Sequence, residues 1–81
     1  MSLAKLLEFR GKLKEASSLL KDAETTIAAM LIIDDYRWLD EVEAIIERAL
    51  ERVREARRLA WELAEEVDRA LPPEVRELPE G

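Results

Sequence analysis

Hydrophobic residues recur every seven positions along most of the chain, in two separate series. The first series has one row at Leu6, Leu13, Leu20 and Ile27 and a second row at Phe9, Ala16, Ala23 and Met30. The second series has one row at Leu39, Ile46, Val53, Ala60 and Val67 and another at Val42, Ala49, Ala56, Leu63 and Ala70. Alternating steps of three and four are typical of packed α-helices. The pattern therefore predicts an all-α chain with two long helices.

The two series are out of phase, so a turn has to separate them. When the helices are folded back on each other, large residues of one mostly face small residues of the other, as interdigitated layers require. The sequence therefore predicts a long antiparallel two-helix hairpin. Helix 1 is expected at about 3–32, the turn at about 33–36 and helix 2 at about 37–71.

Local signals support these boundaries and leave one alternative open. Asp34 is expected to be the N-cap of helix 2, with Ile33 and Trp38 as a hydrophobic staple. The alternative is a small three-helix bundle, in which helix 1 breaks near Ser17-Ser18. Both heptad rows pass through the two serines without a change of phase, which favours a continuous helix.

Two prolines, Pro72-Pro73, are expected to end helix 2. The chain is then one helical domain over residues 1–71, followed by a Pro-containing C-terminal tail over residues 72–81.

Composition excludes most chemistry. The 81 residues include no cysteine and no histidine, which removes the commonest general base, transition-metal ligand and strong nucleophile. The net charge of −6 argues against nucleic acid or an anionic membrane as a partner. No targeting signal or membrane span is recognisable, so we expect a soluble protein of undetermined localisation. We expect no enzyme, no metal site and no cofactor.

The remaining candidates for chemistry have simpler structural explanations. Asp34-Asp35 could bind a hard cation, but acidic residues are also favoured at a helix N-terminus. Ser17-Ser18 and Thr25-Thr26 have no histidine to serve as base. Trp61 lies among arginines, where an indole ring commonly covers the arginine side chains.

The outer side of helix 1 carries an unusual set of residues. The positions opposite the core are Ala4, Gly11, Ser18, Thr25 and Ile32, whereas a solvated helix surface normally carries charged helix formers. Small residues let another backbone approach closely, and apolar and aromatic residues at one end can anchor a partner. We therefore expect these residues to bind a protein: Gly11, Ser18, Asp22, Thr25, Thr26, Ala29, Ile32, Ile33, Tyr36, Arg37 and Trp38.

The second half of the chain resembles computationally (de novo) designed helical mini-proteins, and most of all a designed protein binder. The resemblance is carried by "ERALERVREARRLAWELAEEVDRAL", by "LPPEVRELPEG" and by the absence of Cys, His, Asn and Gln. The segment "LLEFRGKLKEASSLLKDAETTIAAMLIIDDYRW" departs from this style. The resemblance implies that helix 2 is the scaffold, and that the outer side of helix 1 and the turn recognise a target.

Self-association is the alternative function. Positions that flank the heptad rows are also apolar, for example Leu19 and Leu59 on one edge and Leu31 and Leu50 on the other. A stripe this wide favours a third layer, which the C-terminal tail, a second hairpin or another protein could supply. With a second hairpin the result is a homodimeric four-helix bundle such as the Rop-like dimers. Like charges also face each other across one edge, namely Arg10 with Arg57 and Glu24 with Glu43.

Overall fold

The computed structural model describes residues 2–71 and confirms an all-α helical hairpin. Helix α1 spans Leu3–Ile33 and helix α2 spans Leu39–Ala70. The connecting segment, residues 34–38, begins one residue later and ends two residues later than the predicted turn. The prolines and the tail predicted for residues 72–81 lie outside the described residues.

Helix α1 runs without interruption through Ser17-Ser18, so the three-helix alternative is wrong. Its first turn is capped by Ser2, whose hydroxyl accepts a hydrogen bond from the Lys5 backbone N–H at 3.3 Å. This contact satisfies one of the N–H groups that a helix start leaves without an intrahelical partner.

The connecting segment corrects the role predicted for Asp34. Asp34 is the C-cap of α1 and not the N-cap of α2: its φ of 53° is left-handed, and its N–H donates to the Met30 carbonyl. Aspartate tolerates this conformation better than most residues. The N-cap of α2 is Trp38, which makes no side-chain capping bond. Instead, Asp35 Oδ1 accepts from the Arg37 N–H at 3.1 Å, within the turn.

The helices meet along the second heptad row of each series, the row that contains Ala16 in α1 and Ala49 in α2. The buried side chains are Ala16, Ala23, Met30, Val42, Ala49, Ala56, Leu59 and Leu63. Half of them are alanines, and small residues at a contact let helix axes approach closely. Near the turn, Trp38 and Ile45 pack against the buried cluster of Ala23, Met30 and Val42.

Ion pairs join the helices along one edge of the hairpin, which we call the closed edge. Lys12 Nζ lies 2.8 Å from Glu55 Oε2, and Arg52 Nε lies 2.7 Å from Glu15 Oε2. At the end away from the turn, Lys5 Nζ reaches both Glu66 at 2.8 Å and Glu62 at 3.6 Å. The buried and half-buried side chains of the closed edge are Lys5, Lys12, Leu19, Thr26, Ile45, Arg52, Glu55, Leu59, Glu62 and Glu66.

The other heptad row is not enclosed, although the sequence predicts it to be core. Leu6, Leu13, Leu20 and Ile27 remain 40–50% exposed. On α2, Leu39, Ile46, Val53 and Val67 remain 37–56% exposed. The helices are rotated toward the closed edge, and in an antiparallel pair this turns the second row of both helices to the same side. We call this surface the open face; its residues are Leu6, Leu13, Leu20, Ile27, Leu31, Leu39, Ile46, Leu50, Val53 and Val67.

Truncation of Leu59 tests the burial described for the closed edge. Leu59→Ala removes a side chain that is only 3% exposed, so we expect it to lower the free energy of unfolding by about 2–5 kcal/mol. Leu7→Ala, at an exposed position of α1, should change it by less than about 0.5 kcal/mol. Urea denaturation followed by circular dichroism measures both. Equal losses in the two variants would contradict the burial described above.

The closed edge predicts a loss of stability in acid. Hydrogen bonds from Lys12 and Lys5 hold the pKa values of Glu55 and Glu66, respectively, below the usual range. A carboxyl group with a lowered pKa in the folded chain contributes stability above its unfolded pKa of about 4.3, and this contribution is lost as the pH falls further. The urea midpoint should therefore decrease between neutral pH and pH of about 3.

Glu55→Gln should reduce this acid-induced decrease in the urea midpoint, because one of the two carboxyl groups with a lowered pKa no longer titrates. Glu51→Gln is the matched control one helical turn earlier, at an exposed position of α2. The assignment is wrong if the two variants show the same pH dependence.

Candidate protein-binding site

The predicted site begins as a strip of small side chains along the outer side of α1. Ser18, Asp22, Thr25 and Ala29 are exposed, as expected. Gly11 is half-buried, yet beyond its chain neighbours and the adjacent backbone of α1 no atom lies within 4 Å of the position that a Cβ would occupy. The hairpin itself therefore places nothing against this part of the strip.

Apolar side chains lie at the turn end of the strip. Ile32 is 83% exposed, and Ile33 and Tyr36 are about half exposed. The left-handed C-cap at Asp34 ends α1 directly after the two isoleucines, so both are in its last turn. Three large apolar side chains at this end of the hairpin therefore remain about half exposed or more.

Three of the predicted site residues are partly used by the fold itself. Thr26 is half-buried, and its hydroxyl donates to the Asp22 carbonyl at 3.0 Å. Trp38 is also half-buried, because it packs against the core cluster near the turn. Arg37 pairs with Asp35 at 2.7 Å, and its guanidinium carbon lies 5.8 Å from the Trp38 ring centroid. Trp38 therefore serves first as a cover for the core, with Arg37 stacked on it.

The apolar end of the site is bordered by negative charge. Asp34, Asp40 and Glu41 are exposed around the turn, whereas the nearby Arg37 is paired with Asp35. A complementary surface would offer an apolar recess with basic residues at its border.

Other candidates for chemistry do not form a site. Among residues 2–71, no group of three or more acidic, histidine or cysteine side chains could hold a metal ion. Trp61 is exposed, with the Arg57 guanidinium carbon 5.8 Å from its ring centroid. This contact agrees with the expectation that the indole covers arginine side chains.

The open face is a second apolar surface; the sequence predicts most of it as core, and Leu31 and Leu50 as the edge of a wide apolar stripe. A shallow recess on it is lined by Leu13, Ala16, Ser17, Leu20, Lys21 and Glu24. The like-charged side chains predicted to face each other lie along its length: Arg10, Glu24, Glu43 and Arg57 are all exposed. Within residues 2–71 none of these four forms a salt bridge.

The alanines were the signal that could have revealed this surface. All four alanines belong to the second row named for their series: Ala16 and Ala23 in α1, and Ala49 and Ala56 in α2. A contact centred on small residues draws the helices together and leaves the larger neighbouring row outside.

Neither helix of the described part is long and apolar enough to cross a membrane. The chain matches no known family model, no curated protein and no solved structure, so its function has to be argued from its own surfaces.

Proposed function

We propose that this chain is a non-catalytic protein-binding module of the designed helical type, which engages a protein partner through the outer side of α1 and the turn. The observation that supports this most directly is the exposure of Ile32, beside Ile33 and Tyr36, at the end of a strip of small side chains.

The energetics of such a surface favour binding over any role in folding. Burying a fully exposed isoleucine is worth about 1.5–3 kcal/mol, and in the isolated hairpin Ile32 gains almost none of this. A few centrally placed anchors supply most of the energy of a typical protein interface. Ile32 and Tyr36 would be such anchors, and the strip from Gly11 to Ala29 would let the partner backbone lie close to α1.

The acidic border narrows the class of partner. Asp34, Asp40 and Glu41 are exposed near the turn, at the same end of the hairpin as the apolar anchors, so the partner is expected to carry lysine or arginine around an apolar recess. Electrostatic attraction of this kind mainly raises the association rate and weakens as salt screens the charges.

Replacement of Ile32 tests the proposed anchor. Ile32→Glu should lower partner affinity by about 2 kcal/mol, the scale of an interface hot spot. Helicity should be retained, because Ile32 is 83% exposed in the hairpin. The partner would first be trapped by photo-crosslinking from position 29, and its affinity for each variant then measured by isothermal titration calorimetry.

Ala44→Glu is the matched control, because it places the same charge at an exposed position of α2 near the turn. It should leave the affinity unchanged. If Ile32→Glu unfolds the chain or binds as tightly as the original sequence, the site is wrongly placed.

Gly11→Ala separates folding from binding at the other end of the strip. Because the space around Gly11 is open, alanine should stabilise α1 by about 0.5–1 kcal/mol. If the partner backbone contacts this position, the added methyl group should weaken binding while the chain becomes more stable. Urea denaturation and calorimetry measure the two effects. Increased stability with unchanged affinity would exclude Gly11 from the interface.

A further inference from the structure

We propose that the open face is covered by a second copy of the chain, packed with its turn at the opposite end, to give an antiparallel four-helix bundle. This surface is separate from the outer side of α1, and the proposal does not depend on the partner discussed above.

The amount of apolar surface left on the open face is the first argument. Ten leucine, isoleucine and valine side chains there are between 37% and 63% exposed. Together they present apolar area on the order of 800 Å², which matches the share of one partner in a standard interface. The largest apolar patch of a typical monomer is only about 300–600 Å².

The hairpin is also only one layer of helices thick. Its Cα atoms span 15 Å in the thinnest direction, whereas domains are generally built from at least two packed layers. The buried alanines lie beneath the half-exposed row, and space above small residues is what the large side chains of a second layer would fill.

Residues 72–81 are too short to supply that layer. Ten residues extend at most about 35 Å, whereas Ile46 lies about 37 Å back from Leu71 along α2. The segment offers only Val75 and Leu78 as large apolar side chains besides its prolines. The half of the open face near the turn would remain uncovered.

The ion pairs of the closed edge fix where a two-fold axis would lie. Arg52 pairs with Glu15, and Lys12 with Glu55, across the hairpin, which places Ser17 of α1 approximately level with Leu50 of α2. Ser17 lies near the middle of α1, and Leu50 lies about one helical turn before the middle of α2. The proposed two-fold axis lies in the plane of the interface and runs across the open face at this level, perpendicular to the helices. It would place α1 against α1 and α2 against α2, each pair antiparallel.

The charges on the open face complement each other in this arrangement. Arg10 and Glu24 each lie seven residues from Ser17, so Arg10 of one copy becomes level with Glu24 of the other. Arg57 and Glu43 each lie seven residues from Leu50, so they become level in the same way. The like-charged pairs that are unexplained within one hairpin become opposite-charged pairs between two.

The reverse orientation, with both turns at the same end, lacks this complementarity. It would set Glu24 and Glu43 of one copy against the same acidic residues of the other, and the arginines against arginines. One contact opposes the antiparallel arrangement, since Lys14 and Lys21 of the two copies become nearly level. Both lysines are exposed, and their long side chains can extend into solvent.

The mass in solution tests the proposal directly. Light scattering after size exclusion, on the full chain from micromolar to submillimolar concentration, should give twice the chain mass of 9.3 kDa. Leu20→Glu should shift the mass to that of the monomer, whereas Ile32→Glu, outside the open face, should leave the dimer intact. A monomer throughout this range overturns the proposal, whether the face is covered by residues 72–81 or by a different protein.

Charge reversal tests the orientation. In the antiparallel bundle, Arg10→Glu places a glutamate beside Glu24 of the other copy, so the dimer dissociation constant should rise about tenfold or more. The double variant Arg10→Glu/Glu24→Arg should restore it. In the reverse orientation Arg10→Glu would instead relieve a repulsion, so a tighter dimer in this single variant overturns the proposed packing.

Crosslinking tests the position of the axis. The chain contains no cysteine, so a single introduced thiol has no competitor. Ser17→Cys lies on the proposed axis and should form a disulfide-linked dimer on oxidation, seen on a non-reducing gel. The adjacent Ser18→Cys lies on the outer side of α1 and should remain monomeric on the gel. Equal crosslinking at both positions contradicts the proposed axis.

Discussion

The rest of the structure depends on the close contact between the alanines of α1 and α2. Ala16 and Ala23 meet the α2 surface that carries Ala49 and Ala56, and all four are nearly inaccessible to solvent. Small residues bring two helices together, but they bury little area themselves. The remaining buried area comes from Met30, Val42 and Leu63 in the same row and from Leu59 on the closed edge, where ion pairs also join the helices. The opposite side is left open as a direct result.

The heptad spacing was sufficient to predict both helices, the continuity through Ser17-Ser18 and the turn to within about two residues. Two features could not be obtained in this way. Both heptad rows are equally apolar, so spacing alone does not tell which one faces the partner helix; the location of the alanines and of the ion pairs decides it. Asp34 was assigned to the wrong helix because aspartate suits both an N-cap and a left-handed C-cap.

The predicted site was only partly assembled by the fold. Ile32 and Tyr36 are exposed as expected, because α1 ends abruptly beside them. Trp38 differs because it follows the turn directly and is drawn onto the core cluster. A sequence pattern places such an aromatic residue near the turn, but only the path of the chain through residues 34–38 decides whether its ring faces solvent or the core.

The two proposed surfaces are compatible, because they lie on different sides of α1. A four-helix bundle formed through the open face would leave the outer side of each α1 accessible. Such an assembly would present two identical binding surfaces, one on each copy, to a partner. For a partner with repeated or clustered sites, the second contact would become intramolecular, and the overall affinity would exceed that of a single hairpin.

The contacts between the two helices close chain loops of very different lengths. This difference affects the order of folding. Met30 and Val42, in the core cluster, are close in the chain, whereas the hydrogen bond between the Ser2 N–H and Glu66 joins residues 64 positions apart. Closing a short loop loses less chain entropy than closing a long one. Contacts should therefore form first beside the turn and then extend toward the chain ends. The same gradient should make the far end of the hairpin the first part to fray, with backbone amides that exchange faster there than near Met30.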